Sequence, residues 1–412
     1  MDPILSLNNC ELCFRNASLS QIYYSLELNK FLTDFKSLDE IASYYYDLNT
    51  DGLERFLNAT TYLNISRKNN GLYQHIFPSK HYSTSPSLAL IWLLNSGLPD
   101  ILNKGKLTLK SIISMFGNDY KSKIEECIEL SLIKSEGEAI KNYYELETYL
   151  LTESEFYIGD RISHYQKLFR PELILNAIQS GKSQWQKAYG YSVANPFEIY
   201  SKDEVLLTNF MSGMRQSSIQ DNHFLIQKLN LTNVHTILDI GGGTGDWAML
   251  MKSASAKDCL TNIYELKEAI PVLKKIFSLH HPDKNVKYLS GSFLHNPKGD
   301  YFHNLSREKT YDLISLSWVL HDWSDDICKT ILRKSFNHLV AGGKLLIIES
   351  VMSEDKTCKT TLADISMLLQ TEGKERTFIE YASLLISAGF KQEKIHFIQT
   401  STRRQIIEAI KM

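Results

Sequence analysis

Residues 236–253, TILDIGGGTGDWAMLMKS, join an apolar run to a helical pattern through glycines at 241, 242, 243 and 245. Glycine is favoured where the backbone turns tightly and where a ligand must approach it without an intervening side chain. The stretch therefore predicts a strand, a glycine-rich loop and a helix, which together form one unit of a parallel sheet. At this point the loop is either a tight turn alone or one wall of a ligand site.

Acidic residues beside this loop favour the ligand site and restrict its chemistry. Asp239 ends the apolar run, where a carboxylate can hold a cation or an amine, and Glu265 ends the next run 20 residues after Gly245. An acidic residue at that distance binds ribose hydroxyls in nucleotide-binding folds. Asp246 opens the helix, where it would oppose a pyrophosphate. A ligand with a ribose, an ammonium group and no phosphate fits better, and S-adenosylmethionine has that composition.

From residue 232 onward, short apolar runs alternate with helical stretches. The runs include HTILDI, NIYEL, YDLISLSW and KLLIIESVM, and their alternation predicts a doubly wound, Rossmann-like α/β domain over residues 226–412. The final stretch, KIHFIQTSTRRQIIEAIKM, predicts edge strands that close the sheet. Ligands of such sheets bind beyond the carboxyl ends of the strands, so the residues at those ends are candidates for the site.

One of these strand ends carries a titratable ring. Residues 317–326, SWVLHDWSDD, place His321 shortly after the apolar run YDLISL. Ser324 and Asp325 can cap the following helix without the histidine, so His321 is predicted to be a general base. Glu349 also ends an apolar run and should meet it above the same edge. The other histidines considered lack such surroundings and are expected at the surface or in loops: 280, 281, 295, 303 and 338.

Residues 1–85 and 86–150 repeat one order of elements. In each, SLDEIA or TLKSII starts a helix, a helical apolar stripe follows, and a polar turn leads into a tyrosine-containing strand. This order predicts two winged-helix units, and residues 151–225 are predicted to be a helical connector or substrate lid. Residues 1–150 hold 14 Lys and Arg against 18 Asp and Glu. Because phosphate binding requires a basic face, this balance argues against nucleic acid as a partner.

The bulk composition indicates an ordinary globular protein. The 412 residues are 43% hydrophobic and carry a formal net charge of -2, which provides no general attraction to nucleic acid or anionic membranes. No apolar run approaches the roughly 20 residues of a spanning helix, and the first residues do not resemble a secretory signal. These features predict a cytoplasmic protein with free thiols. Cys10 and Cys13 have no second pair to complete a zinc site, so no metal is expected.

The motifs LDIGGGTG, LHDWSDD, AGGKLLIIE and GKERT occur in this order, and with them the chain resembles the plant-caffeate/bacterial small-molecule O-methyltransferase family. The resemblance covers roughly residues 86–412. It implies S-adenosylmethionine as cofactor, a homodimer formed through a winged-helix domain, and methylation of a small-molecule hydroxyl. We expect an aromatic hydroxyl of a secondary metabolite. Residues 1–85 have no counterpart in the family pattern and would be an extra unit.

The resemblance also implies roles for individual residues. His321 matches the catalytic base, Glu349 and Glu375 match the acids that hold it, and Asp322 is its neighbour in the motif. The positions that match cofactor contacts, together with Asp239 from the loop, are Gly241, Gly243, Glu265, Ser292, Phe293, Ser317, Trp323 and Ser218. The positions that match the substrate pocket are Met214, Met367 and Leu368, which are equally suited to a hydrophobic core.

Three positions depart from the family pattern. Ser292 stands where an aspartate is usual, Ser317 where a basic residue is common, and Glu372 where a glycine is usual. The serine at 317 leaves the contact with the cofactor carboxylate without its usual charge.

Alternative functions are C- or N-methylation, a relative that no longer transfers methyl groups, or a ligand-sensing winged-helix regulator. A metal-dependent C-methylating subgroup is disfavoured because no histidine occurs between 339 and 395.

Overall fold

A computed structural model describes residues 16–412 apart from 24, 46, 64, 76–92, 106, 118–120, 138, 143–145, 147–149, 151–158, 192–195, 201, 282–285 and 293–309. Within this range the chain forms two compact units, which meet in the sequence between residues 180 and 181. Cys10, Cys13 and Phe293 lie outside the described residues, as do His295 and His303.

The first unit contains the same arrangement twice. The first copy consists of α1 (Leu28–Phe31), β1 (Lys36–Ser37), α2 (Leu38–Tyr44), α3 (Thr50–Tyr62), β2 (Ser66–Asn69) and β3 (Leu72–His75). The second consists of α4 (Leu98–Asn103), β4 (Leu107–Thr108), α5 (Leu109–Phe116), α6 (Lys121–Glu129), β5 (Ile133–Glu136) and β6 (Ala139–Asn142). Each copy forms a three-stranded antiparallel sheet, in the orders β1-β3-β2 and β4-β6-β5. Both copies have the element order of a winged helix.

This unit also contains the helices α7 (Gly159–Leu168) and α8 (Pro171–Ser180). Helix α8 packs closely on α3, because a Cβ on Gly52 would lie 3.0 Å from the Cα of Ile178. The backbone amide of Asn49 also donates to the carbonyl of Ile178 at 2.9 Å. The first winged-helix copy is therefore joined to α8 by direct backbone packing.

The second unit is built on a seven-stranded sheet in the order β12-β13-β11-β10-β7-β8-β9. The strands are β7 (Thr236–Ile240), β8 (Leu260–Glu265), β9 (Lys287–Ser290), β10 (Tyr311–Ser317), β11 (Leu339–Glu349), β12 (Ile395–Ile398) and β13 (Gln405–Ile410). Strands β7 to β11 pair in parallel, whereas β13 pairs antiparallel with both β11 and β12. The doubly wound α/β fold predicted from the sequence is confirmed.

Eight helices of the described residues surround this sheet: α9 (Trp185–Tyr189), α10 (Pro196–Tyr200), α11 (Glu204–Ile226), α12 (Asp246–Ala254), α13 (Ile270–His280), α14 (Asp325–Asn337), α15 (Thr360–Gln370) and α16 (Phe378–Ala388). The central strands β10 and β11 are continuously buried over 313–316 and 345–349, as expected for a parallel sheet with both faces covered. A capping box between Thr377 and Glu380 starts α16, which satisfies amides at the helix N-terminus. Among the described helices none is long and apolar enough to cross a membrane.

Candidate active site

The glycine-rich loop after β7 is shaped by glycines in the left-handed conformation. Gly241, Gly243 and Gly245 have φ angles of 65°, 53° and 85°, which residues with a side chain rarely adopt. A Cβ on Gly241 would also lie 2.9 Å from a methyl carbon of Val319. Val319 belongs to the segment 318–325 that carries His321, called the histidine segment below. The loop thus presents bare backbone at the carboxyl edge of the sheet.

Asp239 lies beneath this loop with 1% of its surface exposed. Neither carboxylate oxygen has a hydrogen-bond partner of ordinary geometry among the described residues, and a Cβ on Gly242 would lie 2.5 Å from Oδ2. Burial raises the pKa of Asp239 to about 8, and the nearby Ser315 hydroxyl opposes only part of that rise. A buried carboxylate of this kind below a bare loop fits a ligand that carries positive charge.

Glu265 ends β8 beside the same loop. Its Oε1 accepts a hydrogen bond from the amide of Gly243 at 2.9 Å, and Oε2 accepts one from the amide of Leu266 at 3.1 Å. Burial raises the pKa of Glu265, and these two amides oppose the rise. A carboxylate has about four acceptor positions, so the side chain is held by backbone amides and can still accept from ribose hydroxyls.

The segment that carries His321 leaves β10 through a sharp turn. Trp318 adopts a left-handed conformation with φ 53°, which is unusual for a bulky residue. After this turn the amides of Val319 and Leu320 donate to Oε1 of Glu349 at 3.1 and 2.9 Å. The fully buried carboxylate of Glu349 therefore fixes the path of the chain into His321.

Three carboxylates surround His321, which is 7% exposed in the short 3-10 helix Leu320–Asp322. Its Nδ1 lies 3.1 Å from Oε1 of Glu375 and 3.6 Å from Oε2 of Glu349. Its Nε2 lies 3.8 Å from Oδ2 of Asp322. The structure brings together the four residues that the sequence assigned to catalysis, although they come from three separate parts of the chain.

His321 and the surrounding carboxylates shift one another's pKa values. Burial by itself lowers the pKa of His321, but the charges of Glu349, Asp322 and Glu375 outweigh it and raise the pKa to about 10. Burial raises the pKa of Glu349 to about 7 and that of Asp322 to about 6, against the pull of the imidazolium. The cluster therefore titrates as a coupled unit that stabilises the protonated ring.

The same cluster has the spacing of a possible metal site. Ligand atoms of His321, Glu349 and Glu375 all lie within 4.8 Å of one another. The Oε2 atoms of Glu349 and Glu375 are buried and have no hydrogen-bond partner within the described part of the chain. The sequence predicted no metal. The spacing of these three residues would suit a divalent cation, and it would equally suit a histidine whose proton is held by carboxylates.

Two residues of the GKERT region hold the histidine segment and were not assigned a role from the sequence. The guanidinium of Arg376 donates to the carbonyls of Leu320 at 2.9 Å and Trp323 at 2.7 Å, on either side of the histidine. It also binds Asp325 through Nε and Nη2 at 2.9 and 2.8 Å. A Cβ on Gly373 would overlap the carbonyl oxygen of His321. The proximity of both residues to Glu375 in the sequence was the available signal.

The other predicted cofactor contacts lie around the same edge. Ser218 of α11 and Ser317 at the end of β10 are joined by Arg404, which donates to the carbonyl of Ser218 and the hydroxyl of Ser317. Ser292 is half-buried, and its carbonyl accepts from the hydroxyl of Tyr264 at 3.2 Å. These positions remain predictions as cofactor contacts.

The predicted substrate-pocket residues lie on two helices of the second unit. Met214 of α11 and Met367 of α15 are half-buried, and Leu368 is 2% exposed. In α11 it is Met211 whose sulfur lies near the glycine loop, 3.7 Å from the Cβ position of Gly243. The sequence did not assign Met211 to the pocket, and the ligand-lid interpretation of this helix stays a prediction.

Aromatic side chains gather near the histidine segment. Trp323 is 7% exposed, and its ring lies 5.5 Å from that of Phe197 in α10. The ring of Phe210 lies 6.2 Å from Phe197 and stacks on Tyr200 at 4.3 Å. The charge of Asp322 contributes to a raised pKa of Tyr200, after the larger effect of burial. These contacts place an aromatic cluster close to the acidic residues around His321.

One capping expectation from the sequence was wrong. Ser324 occupies the N-cap of α14 but makes no capping hydrogen bond with its side chain, and Asp325 binds Arg376 instead. His338, expected at the surface or in a loop, is the turn residue between α14 and β11; it is only 7% exposed there, and its carbonyl accepts from the amide of Tyr311. Tertiary packing that is invisible in the local pattern decides both positions.

The model of the O-methyltransferase domain family matches residues 172–391. This match covers more than half of the chain, which therefore belongs to that family, as the resemblance of its motifs predicted.

Two similar enzymes and one solved structure indicate the range of relatives. The chain is 30% identical over 224 residues to acetylserotonin O-methyltransferase of Gallus gallus, covering 54% of this chain and 61% of that enzyme. It is 30% identical over 226 residues to flavonoid 3'-O-methyltransferase 3 of Mentha piperita, covering 53% and 56%. Human N-acetylserotonin methyltransferase, solved in complex with SAM, has a TM-score of 0.66 at 24% identity, covering 79% of this chain and 94% of that one. The matched region thus spans less than two thirds of the chicken and mint enzymes, and the structural likeness supports the fold alone.

Proposed function

We propose that this protein is an S-adenosylmethionine-dependent O-methyltransferase that methylates a phenolic hydroxyl of a small molecule, with His321 as general base. The observation that carries the proposal is the position of the imidazole. His321 lies at the carboxyl end of β10, buried and held at Nδ1 by Glu375 at 3.1 Å. The neighbouring strand β7 ends in the glycine-rich loop, so the imidazole and the bare loop share one edge of the sheet.

The residues around that loop suit S-adenosylmethionine. Gly241 and Gly243 provide backbone without side chains, and Glu265 provides acceptors for ribose hydroxyls. Asp239 provides a buried carboxyl group below the loop, whose ionised form is costly in the folded chain unless a cationic ligand compensates it. When bound, this cofactor supplies an activated methyl group on a sulfonium.

The chain itself must orient the acceptor hydroxyl and remove its proton. A phenol has a pKa of about 10, and the acidic cluster raises the pKa of His321 to about 10 as well. Proton transfer from a phenol to the neutral ring is then close to balanced. The neutral ring is the minor form near pH 7, so turnover should rise with pH as the imidazolium loses its proton. Glu375 and Glu349 stabilise the imidazolium that forms, and Arg376 and Gly373 keep the ring in position.

The acceptor class is inferred from the site and from the names of the relatives. Those relatives are named for acetylserotonin and for a flavonoid. The aromatic cluster around Trp323 and Phe197 would stack against a flat ring. N-Acetylserotonin and simple flavonoids are therefore suitable first probes, together with other phenols of secondary metabolism.

Calorimetry and turnover test the proposal. The wild-type protein should bind S-adenosylmethionine, and Gly243→Asp should abolish binding because it adds charge and bulk to a left-handed glycine. Turnover of any acceptor found in the phenol panel should fall by about 10²- to 10⁴-fold in His321→Gln, the range for loss of a general base. His235→Gln is the matched control, since His235 is exposed just before the opposite end of β7. Full turnover in His321→Gln, or no cofactor binding by the wild type, would refute the proposal.

Two observations separate the alternatives. A chelator should leave turnover unchanged if His321 acts as a base, whereas loss of turnover and its return with a divalent metal would favour the metal-binding arrangement of the same cluster. Mass and NMR analysis of the product distinguishes O-methylation from N- or C-methylation. The regulator alternative requires salt-sensitive DNA binding, which the acidic balance of residues 1–150 disfavours.

We also propose that residues 86–150 form a dimerisation domain, that residues 1–85 are an additional winged-helix unit, and that residues 151–225 connect these units to the catalytic domain at 226–412. The repeated element order of the first unit supports a winged-helix unit in each of the first two segments, and the dimerisation role follows from the family resemblance. Light scattering of the full chain should give twice the monomer mass if the protein is a homodimer. A mass equal to that of one chain would refute the dimer.

A further inference from the structure

Arg404 is a buried cation at the catalytic edge of the sheet. It is 1% exposed, and its guanidinium reaches two elements of the site. Nη1 donates to the hydroxyl of Ser317 at 3.2 Å, while Nη2 donates to the carbonyl of Ser218 at 2.8 Å and to Oδ1 of Asn222 at 2.6 Å. Nε lies 3.4 Å from Oδ2 of Asp221. The side chain thus connects the end of β10 with helix α11.

The antiparallel strand β13 explains why this arginine reaches the site. Gln405 is paired with Glu349, the last residue of β11. Because β13 runs opposite to β11, the start of β13 lies where the parallel strands end. Arg404 precedes Gln405, so it is delivered to the edge that carries His321 and the glycine loop.

Other buried arginines of the second unit have closer carboxylate partners. Nε of Arg215 lies 3.1 Å from Asp246, and Nη2 of Arg376 lies 2.8 Å from Asp325. Both pairs hold elements of the fold together, since Arg215 links α11 to α12 and Arg376 holds the histidine segment. Their positive charges therefore already serve the folded chain.

The carboxylate nearest to Arg404 lies farther away, although its guanidinium carbon is also 4.7 Å from the centroid of the Trp318 ring. Its carboxylate neighbour Asp221 is shared with Arg403, and the Nε atoms of both arginines lie 3.4 Å from Oδ2. Burial lowers the pKa of Arg404 to about 10, because the charge of Asp221 offsets only part of the cost of desolvation. An additional anion beside this guanidinium would therefore stabilise it.

The hydrogen bonds of Arg404 leave capacity for such an anion. An arginine has five N–H donors, and the bonds described above use four of them, leaving one on Nη1 beside Ser317. The Ser317 hydroxyl accepts from Arg404 and still has its own proton to donate. Together the two side chains can present two donors and a positive charge to one anion.

We propose that Arg404, acting with Ser317, binds the carboxylate at the amino-acid end of S-adenosylmethionine in place of a basic side chain at position 317. This inference rests on the proposed function, because it assigns a residue to the same cofactor site. A cofactor whose ribose meets Glu265 on β8 must place its amino-acid end elsewhere along the edge. The positive charge beside β10 and α11 provides the complementary surface.

Calorimetry with two ligands tests this role. S-Adenosylhomocysteine carries the amino-acid end, whereas 5′-methylthioadenosine has the same nucleoside and sulfur without it. We expect Arg404→Gln to weaken binding of S-adenosylhomocysteine by about 10- to 100-fold, the range for loss of a charge-assisted hydrogen bond. Binding of 5′-methylthioadenosine should change by less than about threefold. Arg404→Lys, which retains the charge, should bind S-adenosylhomocysteine with intermediate affinity.

A control and a rescue variant make the test specific. Arg403→Gln removes a neighbouring charge whose side chain is 50% exposed, so it should change the ratio of the two affinities much less. Ser317→Lys in the Arg404→Gln background should restore selective binding of S-adenosylhomocysteine. Equal weakening of both ligands in Arg404→Gln, or no weakening, would overturn the assignment to Arg404. Failure of the wild type to bind either ligand would instead overturn the proposed cofactor site itself.

Discussion

Replacing Glu349 with glutamine tests how the buried acids tune His321. The two side chains approach to 3.6 Å between Nδ1 and Oε2. Oε1 of Glu349 accepts the amides of Val319 and Leu320, and the amide oxygen of glutamine can accept both. The substitution therefore removes a charge and preserves the acceptor that holds the histidine segment. We expect the pKa of His321 to fall, because the imidazolium loses an anion that stabilises it.

The distance sets the size of this effect. At an effective dielectric constant of about 20, two charges about 3.6 Å apart attract by about 5 kcal/mol. This energy corresponds to an upper limit of roughly three to four pKa units for the shift. Opposite charges at such distances commonly shift a pKa by about one to three units. Asp322 and Glu375 remain as acidic neighbours in the variant and retain part of the stabilisation. The pKa of His321 should therefore fall from about 10 by about one to three units.

Histidine NMR measures the change without an acceptor. The titration of His321, labelled at Cε1 and assigned with His321→Gln, should move to lower pH in Glu349→Gln. The rising limb of kcat/KM with pH should move in the same direction, because more of the ring is then neutral near pH 7. Glu354→Gln is the control, since Glu354 is an exposed glutamate. An unchanged or higher pKa of His321 in Glu349→Gln would refute the argument that Glu349 stabilises the imidazolium.

Three further predictions concern residues that support the site. Gly373→Ala should destabilise the protein by about 1–3 kcal/mol in urea unfolding, because the added Cβ overlaps the His321 carbonyl. Gly213→Ala is the control and should not destabilise the protein, because its Cβ meets nothing within 4 Å. Arg376→Met should cost about 2–4 kcal/mol and speed hydrogen exchange in residues 318–325; unchanged exchange would contradict its role as a clamp. The folded-state pKa of Asp239, about 8, lies above its ordinary value of 3.8, so the unliganded wild type should lose stability as pH rises from about 4 to about 8. Asp239→Asn should not show this loss, and parallel melting curves of the two proteins across that range would contradict the raised pKa.

The local pattern of the chain predicted much of the fold. Apolar runs of strand length, glycines that need left-handed φ angles and acidic residues at strand ends are encoded within short stretches. The alternation of strands and helices restricts the topology further, because parallel strands place their carboxyl ends at one edge. His321 and Glu349 could therefore be assigned together before any contact was known.

The residues missed from the sequence act through contacts between distant segments. Arg404 reaches Ser317 across 87 positions in the chain, and Arg376 reaches Leu320 across 56. Asp325 is a residue type that often caps helices, but its carboxylate binds the buried guanidinium of Arg376 instead. No periodicity within a short window carries such information.

The sequence by itself determined the α/β class, the glycine-rich loop, the acids at the strand ends and the histidine that follows β10, because each depends on local conformational preference or on strand order. Only the tertiary structure decided which groups surround that histidine and how its pKa is shifted, because burial and charge separation depend on atoms from different strands. It also decided that an antiparallel strand brings Arg404 to the edge where Ser317 lacks a charge. The reversed direction of β13 is the physical reason that a residue near the end of the chain lies beside the site.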